Sequence, residues 1–472
     1  MSDLLSIINN YLYTYILVVL LLGVGIFLTI YLHFVQIVHF KDFFKSLCNS
    51  RKNAHGGISS FQAFAIGIGT RIGIGNIAGV ALALVLGGPG AIFWMWIVAL
   101  IGMSTAFTES TLAQIFKVKY ESDGTYRGGP AYYIKKGMKS KVLAVIFALI
   151  TVFSTGIAVP MVQINTVAAT FNSNHGIPTW VTGVIVAVLL APVIIGGVRT
   201  VAKASEYLGP IMAMAYILIA VVVIVTNIPA AGHAFVQIFE GAFGLREGLS
   251  GIGGGIFATL LNGTRRGLFS NEAGLGTAPN AAGTATVDHP VNQGFIQAFG
   301  VFVDTIVVCT ITALLILIAG NDVYSPGHGT EEIAGALTSN AVIHLLGPWM
   351  SIPMSLIIFV FGYTSAFGAY CYGQVSLDIL VKNKIISYLY RCLVVVACGF
   401  AAVQPLILVW SLADIMLGLG GIINLVALVV LAKWVAGALH DYKAQVKAGK
   451  NPVFVSEDNP FMPSDIPGKI WK

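Results

Sequence analysis

The sequence predicts an all-α polytopic membrane protein of about 11 transmembrane helices, in which one extra N-terminal helix precedes an inverted repeat of five and five. Three observations carry that expectation. The 472 residues are 57% hydrophobic and only 10% charged, with a mean hydropathy of +0.85, outside the range of soluble globular proteins. The apolar residues fall into roughly eleven runs of about 20, the length needed to cross a hydrocarbon core. Finally, one motif occurs twice: Gly69-Thr-Arg-Ile-Gly73 is followed by Asn76-Ile-Ala-Gly79, and Gly263-Thr-Arg-Arg-Gly267 by Asn271-Glu-Ala-Gly274.

The first run, 11 to 38, has no basic residue ahead of it and is too long for a signal-peptide core, so it reads as a retained spanning helix. The others are 61 to 86, 91 to 116, 142 to 171, 178 to 197, 207 to 229, 252 to 282, 294 to 319, 349 to 377, 386 to 403 and 406 to 437. They divide the chain into an N-terminal helix and loop (1–57), a first five-helix repeat (58–230), a second, inverted one (231–440) and a cytoplasmic tail (441–472). With the N-terminus outside, 22 of the 26 Lys and Arg residues fall in cytoplasmic segments, Arg246 falls outside, and Arg71, Arg265 and Arg266 lie within the membrane. That asymmetry predicts a multi-pass cell-membrane protein, N-terminus outside and C-terminus cytoplasmic. The repeated motif then sits in the second and seventh helices, which run in opposite directions. Inverted five-helix repeats are the signature of a secondary transporter with its binding site at the midplane.

Between the spans, Arg127-Gly-Gly-Pro130 suits a cytoplasmic gate or an ordinary turn, and the connection from Gly320 to Trp349 suits an external lid. The polar, basic segment after Leu439 reads as a solvated cytoplasmic end. The five cysteines form no CxxC pair, and four lie in apolar segments, as small hydrophobes do.

The motif itself is costly. A glycine in a helix interior costs about 1 kcal/mol relative to alanine, and an arginine at the bilayer centre roughly 2.5 kcal/mol or more. A helix interrupted there exposes amide N–H groups at the start of one half, which attract anions, and carbonyls at the end of the other, which attract cations. A zwitterionic amino acid with a small metal cation matches both sets. Gly73 and Gly75 would permit the break, Asn76 would supply an amide, and Gly267, Ser270 and Asn271 would act likewise in the second copy. Helix packing is the alternative, because Gly69/Gly73 and Gly75/Gly79 are also GxxxG pairs, although packing does not explain the Thr, Arg and Asn. The hydroxyls of Thr364 and Ser365 could add oxygen ligands for a hard cation, or bond back to their own helix. Gln163 is a buried amide that needs a partner. The intramembrane charges, Arg71, Arg265 and Arg266 against Glu109, Glu272, Asp304 and Asp414, nearly balance and suggest buried pairs, with Asp304 and Asp414 as candidate proton or cation sites.

Other classes find less support. No HExxH, GxSxG or GxxxxGK[ST] occurs and the nine histidines do not cluster, so nothing points to an enzyme. Gly73-Ile-Gly75-Asn-Ile-Ala78 matches a dinucleotide fingerprint only formally, since it sits in a spanning helix instead of a βαβ unit. The formal charge of +6 is spread over segment ends, which membrane topology explains better than nucleic-acid binding. A channel would satisfy the hydrophobicity but has no need of inverted, broken helices.

Several stretches together resemble the alanine or glycine:cation symporter family: Ile58-Ser-Ser-Phe-Gln62, Arg71-Ile-Gly-Ile-Gly-Asn-Ile-Ala-Gly-Val-Ala81, Gly87-Gly-Pro-Gly-Ala-Ile-Phe-Trp-Met-Trp96, Gly128-Gly-Pro-Ala-Tyr-Tyr133 and Gly267-Leu-Phe-Ser-Asn-Glu-Ala-Gly-Leu-Gly276. The resemblance implies the LeuT-like inverted five-plus-five fold and sodium-coupled import of small neutral amino acids, chiefly alanine and glycine. It implies substrate contacts among Gly75, Asn76, Gln163, Phe269, Ser270, Asn271, Gly274 and Tyr363, and Na+ contacts among Gly73, Asn76, Thr364 and Ser365. Ile74 departs from the family pattern, which carries a small polar Thr there, and this puts the substrate range in question, since some relatives prefer glutamine or serine. Proton-coupled or uncoupled amino-acid transport is the remaining alternative.

Overall fold

The computed structural model describes residues 2–51, 57–244, 252–324, 331–405, 407–464, 466 and 470–471. Among these, nine helices are long and apolar enough to cross a membrane. The expected spans 178 to 197 and 252 to 282 coincide with a shorter helix, Thr179–Ile195, and with Ile252–Asn271, which ends before a non-helical turn. The sixth run begins earlier than its apolar stretch suggests. Gly197, at φ +77°, starts the helix Val198–Thr226, so Arg199 and Lys203 extend it instead of lying in a loop.

The elements that matter for the site are α1 (Ser60–Arg71), α2 (Ile74–Gly87), α3 (Ala91–Ile115), strands β1 (Val118–Tyr120) and β2 (Thr125–Arg127), α4 (Pro130–Lys136), α5 (Val159–His175), α6 (Ile252–Asn271), α7 (Pro279–Ala282), α8 (Pro290–Val301), α9 (Ser351–Leu380) and α10 (Ile407–Lys447). The α1–α2 stretch is 83% buried, against 28% for Val198–Thr226, so the duplicated motif occupies the centre and the uniformly apolar helices its periphery. On that periphery Ile211, Met214 and Leu218 point outward with more than 60% of their surface exposed, as a lipid-facing helix requires. The α3 helix packs on both α6 and α8, and α5 packs on α9.

Local chemistry sets the ends. The Ser59 hydroxyl accepts from the Gln62 N–H (3.1 Å) while the Ser59 N–H donates to Gln62 Oε1 (2.9 Å), a capping box that starts α1. One residue earlier, the Ile58 carbonyl accepts from the Thr286 N–H (2.9 Å), which ties the start of the first broken helix to the chain leaving the second.

Two features correct the sequence reading. The chain is not wholly helical, because β1 and β2 form a small antiparallel hairpin. Nor is the C-terminal segment simply solvated: Phe454, Met462, Ile466 and Trp471 are buried. Trp471 Nε1 donates to the last carbonyls of α3, Gln114 and Ile115 (both 3.2 Å), and Lys117 Nζ lies between the rings of Tyr126 (4.3 Å) and Trp471 (4.4 Å). Apolar residues dispersed among charges and prolines hid this packing from composition.

The hairpin leads into Arg127-Gly-Gly-Pro130, where the glycines serve close approach. Gly129 sits at φ +118°, and a Cβ on Gly128 would lie 2.8 Å from the Gly283 Cα. Arg127 Nε donates to Asp378 Oδ2 of α9 (2.6 Å) and its Nη2 to Asp123 (2.9 Å), with the side chains of Arg127 and Asp378 only 2% and 1% exposed. Removing one member of such a buried pair is expensive. Asp378→Ala should therefore destabilise the protein by about 3 kcal/mol or more, read as a lower thermal unfolding midpoint in detergent, whereas Glu121→Ala, an exposed carboxylate of the same hairpin, should leave the midpoint in place.

Candidate functional site

The helical hydrogen-bond ladder stops at Arg71. Ile72 (φ −75°, ψ 78°) forms the centre of a tight turn in which the Gly73 N–H reaches back to the Arg71 carbonyl (2.9 Å), and Gly73 is extended (φ −129°, ψ −161°) before α2 begins. Gly73 is thus not needed for an unusual φ. It is needed for room, because a Cβ there would run into the Ser365 hydroxyl. That hydroxyl, from the middle of α9, donates to the Gly69 (3.0 Å) and Thr70 (3.2 Å) carbonyls, the open end of α1. Thr364 Oγ1 instead bonds to the Val360 (2.9 Å) and Phe361 (3.1 Å) carbonyls of its own helix and contacts Met212 Sδ (3.2 Å).

On the other side of the break, the N–H groups of Ile74 and Gly75 have no acceptor within α2. Gly75 is half-buried, and the nearest atom to a Cβ built on it is Phe269 Cδ1 at 3.9 Å, so the aromatic ring of α6 flanks the bare side of this first turn. The Gln163 backbone carbonyl of α5 and the Ile74 side chain both approach Gly362, and Gln163 Oε1 is buried without a hydrogen-bond partner among the described residues.

Asn76 joins the two copies of the motif. Its Nδ2 donates to the Asp304 carbonyl (3.2 Å), and its Oδ1 accepts from the Ser270 hydroxyl (3.3 Å), which also lies 3.3 Å from Thr305 Oγ1. Asp304 and Thr305 belong to a π-helical stretch, Phe302–Cys309, a local widening that recurs at functional sites. Asp304 accepts from the Thr305 hydroxyl through Oδ1, and its Oδ2 is buried with no partner among the described residues.

The second break follows Asn271. Glu272 (φ +56°), Gly274 (φ +89°) and Gly276 (φ +76°) turn the chain before α7. Here the freed peptide groups are taken up by side chains. Asn271 Oδ1 accepts from the Ala273 N–H (3.0 Å), the Gly274 N–H donates to Glu109 Oε2 (3.3 Å), and Asn424 Nδ2 donates to the Gly274 carbonyl (2.9 Å).

The structure therefore brings Gly73, Gly75, Asn76, Phe269, Ser270, Thr364 and Ser365 around the first break, with Gln163 alongside. Three expected residues lie elsewhere. The Asn271 amide packs on Gly102 of α3, and Gly274 is enclosed by Leu21, Leu425 and Thr105. Tyr363 directs its hydroxyl to the Leu189 carbonyl (2.8 Å) on the peripheral helix Thr179–Ile195. The arginines are also resolved individually: Arg71 donates to the backbone (3.3 Å) and amide (3.2 Å) oxygens of Gln297, while Arg265 sits 5.5 Å from the Tyr13 ring centroid. Thr305 and Asn424 went unremarked in the sequence; polar side chains inside apolar runs were their one signal. A cavity of about 310 Å³ lies at the far end of α2, lined by Gly87, Pro89, Gln237, Asn321 and Tyr324, roughly 18 Å from Gly75 at 1.5 Å per helical residue.

Known proteins place this arrangement. In fold, the chain resembles a manganese transporter mutant of Eremococcus coleocola, with a TM-score of 0.50 at 14% identity over 83% of this chain and 81% of that one. In sequence, it is 42% identical to the probable sodium/glutamine symporter GlnT of Bacillus subtilis (97% of this chain, 94% of that one). It is 38% identical to the amino-acid carrier protein AlsT of the same organism (97% and 96%), and 39% identical to the sodium/alanine symporter AgcS of Methanococcus maripaludis (91% and 94%). The family profile described as the sodium:alanine symporter family matches residues 1–456, and this multi-pass membrane protein belongs to that family of transporters.

Proposed function

We propose that the chain is a sodium-coupled symporter that imports small neutral amino acids, alanine and glycine, across the cell membrane by alternating access. The observation that carries this reading is the break at Ile72–Gly73, where the carbonyls ending α1 meet the Ser365 hydroxyl and α2 starts afresh with Phe269 flanking Gly75. Carbonyl and hydroxyl oxygens suit a hard cation, and a helix start suits a carboxylate. Na+ would lie by Gly73 and Ser365, with Thr364 and Asn76 at its margins. The substrate carboxylate would meet the Ile74 and Gly75 amides and Asn76, and its ammonium group the unpartnered Gln163 Oε1. Phe269 and Ser270 would close the other side, while Asn271 and Gly274 shape the second break behind it and Tyr363 anchors α9 to the periphery. In this reading the spans number eleven, in an inverted five-plus-five order, with the N-terminus outside. The Trp471 cap would then face the cytoplasm.

The relative named for glutamine, at 42% identity, favours a second reading in which the side-chain pocket accepts a longer amide. Competition of alanine, glycine, serine and glutamine against labelled alanine separates the two. Uptake into proteoliposomes should collapse when the inward Na+ gradient is removed, and uptake driven equally by a proton gradient alone would overturn the choice of ion. Gly75→Leu should abolish alanine binding in a folded protein, because the side chain would fill the space before Phe269; unchanged affinity would move the site. Ser365→Ala should raise the half-saturating Na+ concentration about tenfold, the equivalent of about 1.4 kcal/mol. Thr364→Ala, whose hydroxyl bonds within its own helix, should shift it less, and the reverse order would exchange their roles.

A further inference from the structure

Glu109 of α3 is fully buried where α3, the turn after α6 and α10 meet. Its Oε2 accepts from the Gly274 N–H (3.3 Å) and from Asn424 Nδ2 (3.0 Å). The same Asn424 donates to the Gly274 carbonyl (2.9 Å) and accepts from the Tyr133 hydroxyl of α4. Glu109 thus adds a second tie, through its carboxylate, to the direct Asn424–Gly274 bond between α10 and the second break. Its other oxygen, Oε1, is buried without a hydrogen-bond partner among the described residues. The transport reading above leaves this carboxyl without a role.

The charged and titratable groups near it are Arg71 at the end of α1, Glu272 in the turn, and Tyr133 on α4. The Arg71 guanidinium is already engaged by Gln297, and Glu272 accepts from the Thr277 hydroxyl (2.7 Å). The field of Arg71 reaches two fully buried carboxyls, Glu109 and Asp304, and the half-buried Glu272. A set so composed is short of positive charge, and a carboxyl in it can gain that charge as a proton from water, by forming one O–H bond at the vacant lone pairs of Oε1. Doing so weakens the other oxygen as an acceptor, because hydrogen bonds to an ionised group are roughly twice as strong as those to a neutral one.

We infer that Glu109 is a proton-exchanging positioning residue: ionised, it holds the turn after α6 against α10 through Gly274 and Asn424, and protonated, it lets the two part. The inference goes beyond the proposed symport, since the proton need not be carried across the membrane. It makes the carrier sensitive to pH even when Na+ drives transport.

The test is an infrared titration of the purified full chain in lipid, paired with alanine counterflow at equal pH and Na+ on both sides. A protonated-carboxyl band should grow as the pH is lowered in the wild type and be missing in Glu109→Gln. The counterflow rate of the wild type should change several-fold over the same titration, whereas that of Glu109→Gln should be flat and match the acidic wild-type value. A Glu109→Gln protein that keeps the wild-type band and profile overturns the inference, as does a wild type with neither. Should Glu109→Gln fail to fold, Asn424→Ala keeps the carboxyl and removes a donor to it, and must move the band's midpoint to higher pH; an unmoved midpoint overturns the inference equally. The infrared band does not depend on alanine being the substrate, so absent counterflow would count against the symport reading alone.

Discussion

A polypeptide in hydrocarbon must satisfy its own N–H and C=O groups, and this chain stops two helices within its buried centre. Everything else at that centre follows from how the freed groups are used. At Ile72–Gly73 the Ser365 hydroxyl takes two carbonyls, while α2 starts afresh with the Phe269 ring beside Gly75. After Asn271 the peptide groups are consumed internally by Asn271, Glu109 and Asn424. The two occurrences of the motif thus differ: the first break leaves the Ile74 and Gly75 N–H groups without an acceptor inside their helix, and the second is bound into the surrounding helices.

That division explains the distribution of buried polar residues. Asn76 and Ser270 touch each other across the two occurrences of the motif and reach the π-helical stretch at Asp304, so the two broken helices are tied directly to each other. The far end of the bundle is closed by different means, a buried Arg127–Asp378 pair and a tryptophan that covers the last carbonyls of α3. The chain after the second break, near Ala285 and Thr286, is held there too, through Lys117 and Ile58. A substrate leaving the first break by that route would have to loosen charge pairs and ring contacts, which are directional and tend to be either made or lost. Lipid-like packing alone would yield gradually.

Much of this was legible in the sequence, because the costly residues are the informative ones. Glycines and an arginine in an apolar run cannot be justified by membrane insertion, and they marked both interruptions to within a few residues. The role of Gly73 was legible only in part: its backbone angles suit any residue, and the need for glycine comes from Ser365, nearly 300 positions away. Direction was also hidden. Tyr363, Thr364 and Ser365 are neighbours in sequence, yet successive residues on a helix point about 100° apart, so Ser365 reaches the break while Tyr363 reaches Leu189. Composition failed for the C-terminal segment, where Phe454 and Trp471 meet edge to face amid polar residues.

Fold and cargo separate cleanly in this molecule. A chain of 14% identity with a similar fold is a manganese transporter, and the likeness extends to the scaffold alone. On the symport reading proposed above, what distinguishes one cargo from another would lie in the few groups lining the break. Here those groups are carbonyl and hydroxyl oxygens next to uncommitted amides, with an aromatic ring 3.9 Å from the bare face of Gly75. Such a set offers a small hard cation ligands without a dedicated carboxylate, and offers a carboxylate a helix start. A carboxylate-bearing substrate seated there could itself complete the cation's surroundings, and each would then bind better in the presence of the other. Coupling would arise from shared geometry at one break, with no separate linkage needed between distant sites.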